Sequence, residues 1–188
     1  MKYKTVVIDP PWPLTSNKPR TPDGNRSSIY TRAVNRPYNT TTLEEIQAFP
    51  IDDFADDDCI LWLWVPNMNI RDAFAILEKW NFTYRSCLTW VKNRMGLGYW
   101  LRGKTEHCLL ATRGCPEWNN TTMTTVINAD IKGDSEKPAR FYQLLRAWTP
   151  EPRIDIFARN AHEGFDGWGD EYVGEGPLAP YLKEKMKQ

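Results

Sequence analysis

The sequence has no surplus of charge. Its 24 Lys plus Arg residues match 24 Asp plus Glu across 188 positions, and with both histidines neutral the net charge is zero. A global basic field that would draw the whole chain to nucleic acid is thereby excluded, so any such binding rests on local patches. Long apolar runs are missing as well. No stretch approaches the roughly 18 apolar residues of a spanning helix, and the run in the N-terminal segment MKYKTVVID is too short for a signal peptide. A soluble, cytoplasmic protein with no membrane contact is expected. Cysteine is sparse. Cys59, Cys87, Cys108 and Cys115 lack close paired spacing, which favours reduced thiols over disulfides or a metal site. His107 and His162 are too few and too scattered to supply a metal centre either. No internal repeat is present. Aromatics, by contrast, are plentiful: nine Trp, eight Tyr and seven Phe make up 13% of the chain. Several lie in polar surroundings, which suggests stacking surfaces in addition to core.

Asp9-Pro10-Pro11-Trp12 follows the apolar run Val6-Val7-Ile8 directly. Each proline fixes φ and removes an N–H, so the chain leaves the strand in a stiff turn whose carbonyls join no ladder. If that turn lies at the carboxyl end of a buried strand, Asp9 and the Pro10 carbonyl are fixed acceptors beside the flat face of Trp12. Two acceptors and a stacking ring suit a planar base carrying an exocyclic NH₂. The plainer alternative is a strand followed by a Pro-rich turn, with Trp12 as a partly buried anchor.

The remaining pattern places this motif in an α/β domain. Residues 3–8, 60–65, 83–92, 106–112 and 153–158 read as strands, with a short one near 125–127. Helices are expected at 68–80 and 138–148, and a short one opens at Thr42-Leu43-Glu44-Glu45, where Thr41 or Thr42 begins a capping box. The acidic stretch 52–58 reads as a connection. Residues 13–40 form a long, locally basic loop, and 93–104 is a Gly-punctuated loop with aromatics and positive charge. Alternating strands and helices predict an α/β sheet with helices on both faces, and an antiparallel pair arises from 83–92 and 106–112. Ligands in such sheets lie outside the carboxyl ends of the strands. A single domain is expected over 1–174, followed by a fraying tail at 175–188.

Taken together, nine segments resemble the MT-A70 methyltransferases in order. They are the DPPW motif, Pro37-Tyr38-Asn39-Thr40, Leu63-Trp64-Val65, Trp90-Val91-Lys92-Asn93, Gly98-Tyr99-Trp100-Leu101-Arg102, Glu106-His107-Cys108-Leu109, Lys137-Pro138, Phe157-Ala158-Arg159 and Trp168-Gly169-Asp170-Glu171. The resemblance covers residues 3–172. It implies a Rossmann-like class I methyltransferase sheet in permuted order, with the catalytic strand first. It also implies transfer of a methyl group from S-adenosylmethionine to adenine N6 in DNA or RNA, with DNA favoured. By the same resemblance, Asp9, Pro10, Pro11 and Trp12 are catalytic. Asp9, Lys137, Arg159, Asn160, Asp170 and Glu171 hold the cofactor, and no metal is involved. Trp12 and Tyr38 sandwich a flipped or single-stranded adenine, while Lys92, Asn93, Arg102, Lys104 and Glu106 contact the substrate. A homodimer or a partner subunit is compatible with the pattern. Two other functions stay open: a catalytically silent nucleic-acid-binding or partner subunit, and an amino-methyltransferase acting on cytosine N4.

Overall fold

A computed structural model describes residues 2–13, 41–96, 100–119, 122–133 and 136–169. Strand β1, Tyr3–Ile8, has five of its six residues buried, as its apolar run requires of a strand covered on both faces. Helix α1, Leu43–Gln47, begins at a full capping box: Thr42 accepts from the Glu45 N–H, and the Glu45 carboxylate accepts from the Thr42 N–H. Then follow β2, Ala55–Val65, and α2, Ile70–Lys79, with a 3₁₀ turn at Asn67–Asn69 between them. Next come β3, Thr83–Lys92; β4, Thr105–Arg113; and β5, Val126–Ala129. Helix α3, Ala139–Trp148, precedes β6, Arg153–Ile156, and β7, Asp166–Trp168.

The seven strands form one sheet in the order β5-β3-β4-β2-β1-β6-β7. Every neighbouring pair is parallel except the two that β4 makes, with β2 and with β3. The expected antiparallel pair is present, and its reversed member is antiparallel to β2 too. Two apolar clusters cover the faces. Ile46 of α1 and Ala73, Ile76 and Leu77 of α2 pack against Val6, Ile8, Leu61 and Leu63. Phe141, Tyr142, Leu144 and Leu145 of α3 pack with Val7, Ile60, Trp62 and Trp64. Helices therefore flank the sheet on both sides.

Three boundaries differ from the sequence reading. The acidic stretch is partly strand, since β2 starts at Ala55; Asp57 and Asp58 are exposed there, and Asp58 accepts the Cys115 N–H at 2.7 Å. Exposure at a sheet margin lets a strand carry acids that a buried run would not. Strand β6 stops at Ile156, because Phe157 takes a φ of 63° and turns the chain. Beyond it, the Ala158 N–H donates to the Trp168 carbonyl, closing the carboxyl end of the β6–β7 pairing. Strand β7 itself, with Gly167 at its centre, shows no periodicity that would have marked it.

Candidate active site

The Asp-Pro-Pro-Trp segment leaves β1 at its carboxyl end and is tied down by backbone contacts. Asp9 N–H donates to the Ile156 carbonyl at 3.3 Å, and Trp12 N–H donates to the Pro10 carbonyl at 2.8 Å, closing a tight turn about Pro11. The Pro11 carbonyl accepts from Thr41 N–H at 2.9 Å, just ahead of α1. Asn69, at the start of α2, donates its amide to the Pro13 carbonyl at 3.3 Å. The stiff turn expected from two prolines is thus bolted to β6, to the residue leading into α1, and to α2.

Trp12 departs from the expected open face. Only 6% of the residue is exposed, it belongs to the α2-side core, and its indole N–H donates to the Trp64 carbonyl at 2.8 Å. A strand end offers an unpaired carbonyl, and the indole satisfies it while the ring adds buried area. Here the anchor reading of Trp12 describes the geometry better than the stacking one.

Asp9 lies at one end of a chain of alternating charges. Lys137 Nζ is 2.5 Å from Asp9 Oδ2 and 3.0 Å from Glu106 Oε1, while Glu106 Oε2 is 2.6 Å from Lys92 Nζ. Each member has a fixed origin. Asp9 ends β1, Lys92 ends β3, Glu106 is the second residue of β4 opposite Trp90, and Lys137 precedes the α3 cap Pro138. The antiparallel turn of β4 therefore brings Glu106 to the same sheet edge as the carboxyl ends of β1 and β3. The ammonium groups also lie over indoles, Lys137 at 5.4 Å from the Trp64 ring and Lys92 at 4.5 Å from the Trp90 ring.

Burial sets the electrostatics. It pushes the Asp9 carboxyl upward, Lys137 opposes this, and the neighbouring Glu106 charge adds to the rise. Burial acts on Glu106 in the same sense, but two ammonium partners, Lys137 and Lys92, overcome it and hold Glu106 down to about 2. Burial works against the Lys137 charge, yet Asp9 and Glu106 together keep it protonated, with its pKa raised. One ammonium thus serves two carboxylates. The carboxylate with the second cation is firmly ionised, and Asp9 is the one left easier to protonate.

The other expected site residues are distributed around this chain. Arg159 follows the Phe157 kink and is close enough to Asp9 to favour its ionised form. Asn160 is exposed beside it. Asn93 is exposed and accepts the Ile131 N–H through its side-chain oxygen at 3.3 Å, while Arg102 and Lys104 are exposed on the β3–β4 connection. That connection is a hairpin stem closed by Lys92 N–H to Lys104 O at 2.9 Å and Gly96 N–H to Gly103 O at 2.6 Å. Tyr38, Asp170 and Glu171 lie outside the described residues. Lys137, expected among the cofactor contacts, is 7% exposed and bridges the two acids. His162 is stacked on Tyr142 with ring centroids 3.4 Å apart, and its Nε2 lies 3.8 Å from Asp155.

Sequence reasoning missed the clamps. Trp64 contributes a carbonyl and Asn69 an amide, and neither role has a residue-type signature. The nearest signal was the position of Trp64 at the end of an apolar strand run.

A mostly parallel sheet with helices on both faces, and an acid-proline loop at the carboxyl end of an interior strand, defines a Rossmann-like α/β protein; in such sheets ligands lie outside the strand ends. The chain belongs to the MT-A70 family, whose model matches residues 3–171. An Arabidopsis thaliana protein named N(6)-adenosine-methyltransferase MT-A70-like is 28% identical over 196 residues, covering 98% of this chain and 26% of the plant protein. The human N(6)-adenosine-methyltransferase catalytic subunit METTL3 is 27% identical over 199 residues, covering all of this chain and 31% of that subunit. Type II methyltransferase M.MunI of Mycoplasma sp is 26% identical over 181 residues, covering 90% of this chain and 78% of that protein. The chain thus spans about a quarter of the length of the plant relatives and most of the bacterial one.

Proposed function

We propose that this protein transfers a methyl group from S-adenosylmethionine to the exocyclic N6 amine of adenine in nucleic acid. The observation that carries the reading is the Asp9 carboxylate at the end of β1, held at 2.5 Å by the buried Lys137 ammonium with the Pro10 carbonyl one residue away. An exocyclic amine conjugated to its ring is a weak nucleophile until its hydrogens are held so that nitrogen can pyramidalise. Asp9 accepts one of those hydrogens and the Pro10 carbonyl, which keeps a second lone pair beside its bond to Trp12, accepts the other. Such fixed orientation is worth roughly 7–11 kcal/mol of barrier. As positive charge develops on nitrogen the Asp9 carboxylate stabilises it, and Asp9 or water takes the proton released afterwards.

Lys137 fixes the rotamer of Asp9 and keeps it ionised, and Glu106 with Lys92 fixes Lys137. Trp12 acts by pinning the loop to β2. Arg159 is close enough to Asp9 to favour its ionised form, and this cation and anion together would suit the zwitterionic amino acid moiety of the cofactor. Arg159 and Asn160 would hold it together with Asp170 and Glu171. When bound, S-adenosylmethionine supplies an electrophilic methyl group. Tyr38 and the basic residues Arg102 and Lys104 are assigned to the substrate, with the base flipped or single-stranded so that N6 is accessible. We favour DNA over RNA by analogy with short bacterial members of the family. Whether it works as a homodimer or with a partner subunit belongs to the same proposal.

The test incubates the protein with labelled S-adenosylmethionine and matched single-stranded and duplex DNA and RNA, then digests the product and identifies the nucleoside. N6-methyladenosine or its deoxy form is expected. Label on cytosine N4, or none on any polymer despite cofactor binding, contradicts the reading and favours respectively a cytosine enzyme or a silent subunit.

A further inference from the structure

A cavity lies away from the Asp9 chain. Because β4 runs antiparallel to both neighbours, a hairpin joins β3 to β4, and the amino half of β3 is covered by residues from 114–118 and 123–125. The cavity, between those residues and the sheet, is about 550 Å³, inside the size range of small-molecule sites. Its walls include Trp62, Leu88 and Leu110 from the sheet and Trp118 from the covering segment. The two indoles stand 6.3 Å apart at 35°, so the wall presents extended flat apolar surface. Leu110 on β4 is four residues from Glu106, about 13 Å along the strand at roughly 3.3 Å per residue.

Two features indicate a built site in this apolar space. Trp62 is 2% exposed, and its indole N–H has no acceptor among the described residues, a donor that a buried polar group in a native fold rarely leaves idle. Arg85 is the extra residue of a β-bulge: Tyr84 opposes Ala111 and Ser86 opposes Leu110, leaving Arg85 without a partner in the ladder. Bulges re-aim side chains. This one turns the guanidinium to the cavity lining, where Nε donates to Thr112 Oγ1 at 2.8 Å. Arg85 forms no ion pair among the described residues, so its remaining donors are available to an anion.

We propose that this cavity binds a planar aromatic molecule bearing a carboxylate. The ring system lies among Trp62, Trp118, Leu88 and Leu110, while the carboxylate meets Arg85. The site does not depend on the methyl-transfer reading. The probe is naphthalene-2-carboxylate, titrated into the full chain by calorimetry and ligand-observed NMR, with naphthalene-2-carboxamide as the neutral control. Saturable one-to-one binding with a Kd at or below about 1 mM is expected. It should persist in excess S-adenosylhomocysteine, weaken about tenfold for the amide and in Arg85→Gln, and vanish in Leu110→Trp, which fills the space. Arg85 is exposed, so Arg85→Gln keeps the fold and decides the matter if Leu110→Trp does not. Absence of saturable binding, displacement by S-adenosylhomocysteine, or equal affinity in Arg85→Gln overturns the proposal.

Discussion

Removing the Lys137 ammonium would leave Asp9 and Glu106 without the cation that joins them, in a site where Lys137 itself is only 7% exposed. Burial would then act on Asp9 unopposed by its nearest partner, so its already raised pKa rises further. The sign is fixed: the proposed transfer needs ionised Asp9, so the rate is expected to fall as pH drops through that pKa, with the acid limb above the ordinary carboxylate range. Lys137→Met should lower turnover by about 10²- to 10³-fold and move the acid limb of the pH–rate profile upward, with cofactor affinity measured in parallel. An unshifted limb would contradict the coupling. A second pair, buried Asp155 and half-buried His162, works in opposite directions on stability. Asp155 is pushed up to about 7, chiefly by burial, so between pH 4 and 7 its folded form binds more protons and stability falls as pH rises. His162 is lowered to about 4, mainly by burial, so stability rises with pH between about 4 and 6.5. Melting curves across that window should show Asp155→Asn gaining relative to wild type as pH rises, and His162→Gln losing.

At the scale of the element, the Asp-Pro-Pro-Trp turn at the carboxyl end of β1 is held by hydrogen bonds to β2, β6 and the start of α2. The indole of Trp12 satisfies the Trp64 carbonyl at 2.8 Å inside the core. Trp12→Phe keeps most of the apolar area but leaves that carbonyl unpaired, at a cost of about 1–3 kcal/mol, measurable by urea denaturation. Activity should fall by more than the folded fraction does, because the Asp9 loop loses its bolt to β2. The sequence made much of this element legible. The apolar run to Ile8, the two prolines and the acid located the strand, the stiff turn and the acceptor, and the capping box at Thr42 is found where it was expected. The apparent exposure of Trp12 was not legible, since an aromatic after two prolines reads the same whether its ring faces solvent or a neighbouring strand. The charge chain was half legible. Lys92, Glu106 and Lys137 each stood out as candidates, but only the sheet order, with β4 reversed beside β2 and β3, brings them to one edge and pairs Lys137 with two acids. β7 was hidden because three residues around a glycine carry no alternation.

For the whole molecule, zero net charge leaves nucleic-acid binding to local patches, and the β3–β4 hairpin with exposed Arg94, Arg102 and Lys104 is the described one beside the site. Affinity for duplex DNA should therefore fall with salt, and replacing these three by Gln should reduce the log–log slope by about 2–3, close to one counterion per lost phosphate contact. A slope unchanged by the triple substitution would move the polymer to another surface. Asp9 is the proposed acceptor that makes an adenine amine reactive. The most direct test of this role is the single-turnover rate of methyl transfer to an adenine-containing strand by wild type and by Asp9→Asn, each saturated with S-adenosylmethionine and checked for equal cofactor occupancy. N6-methyl product is expected from wild type, with a rate at least about 10³-fold slower from Asp9→Asn; an Asp9→Asn rate within a few-fold of wild type would contradict the role of Asp9.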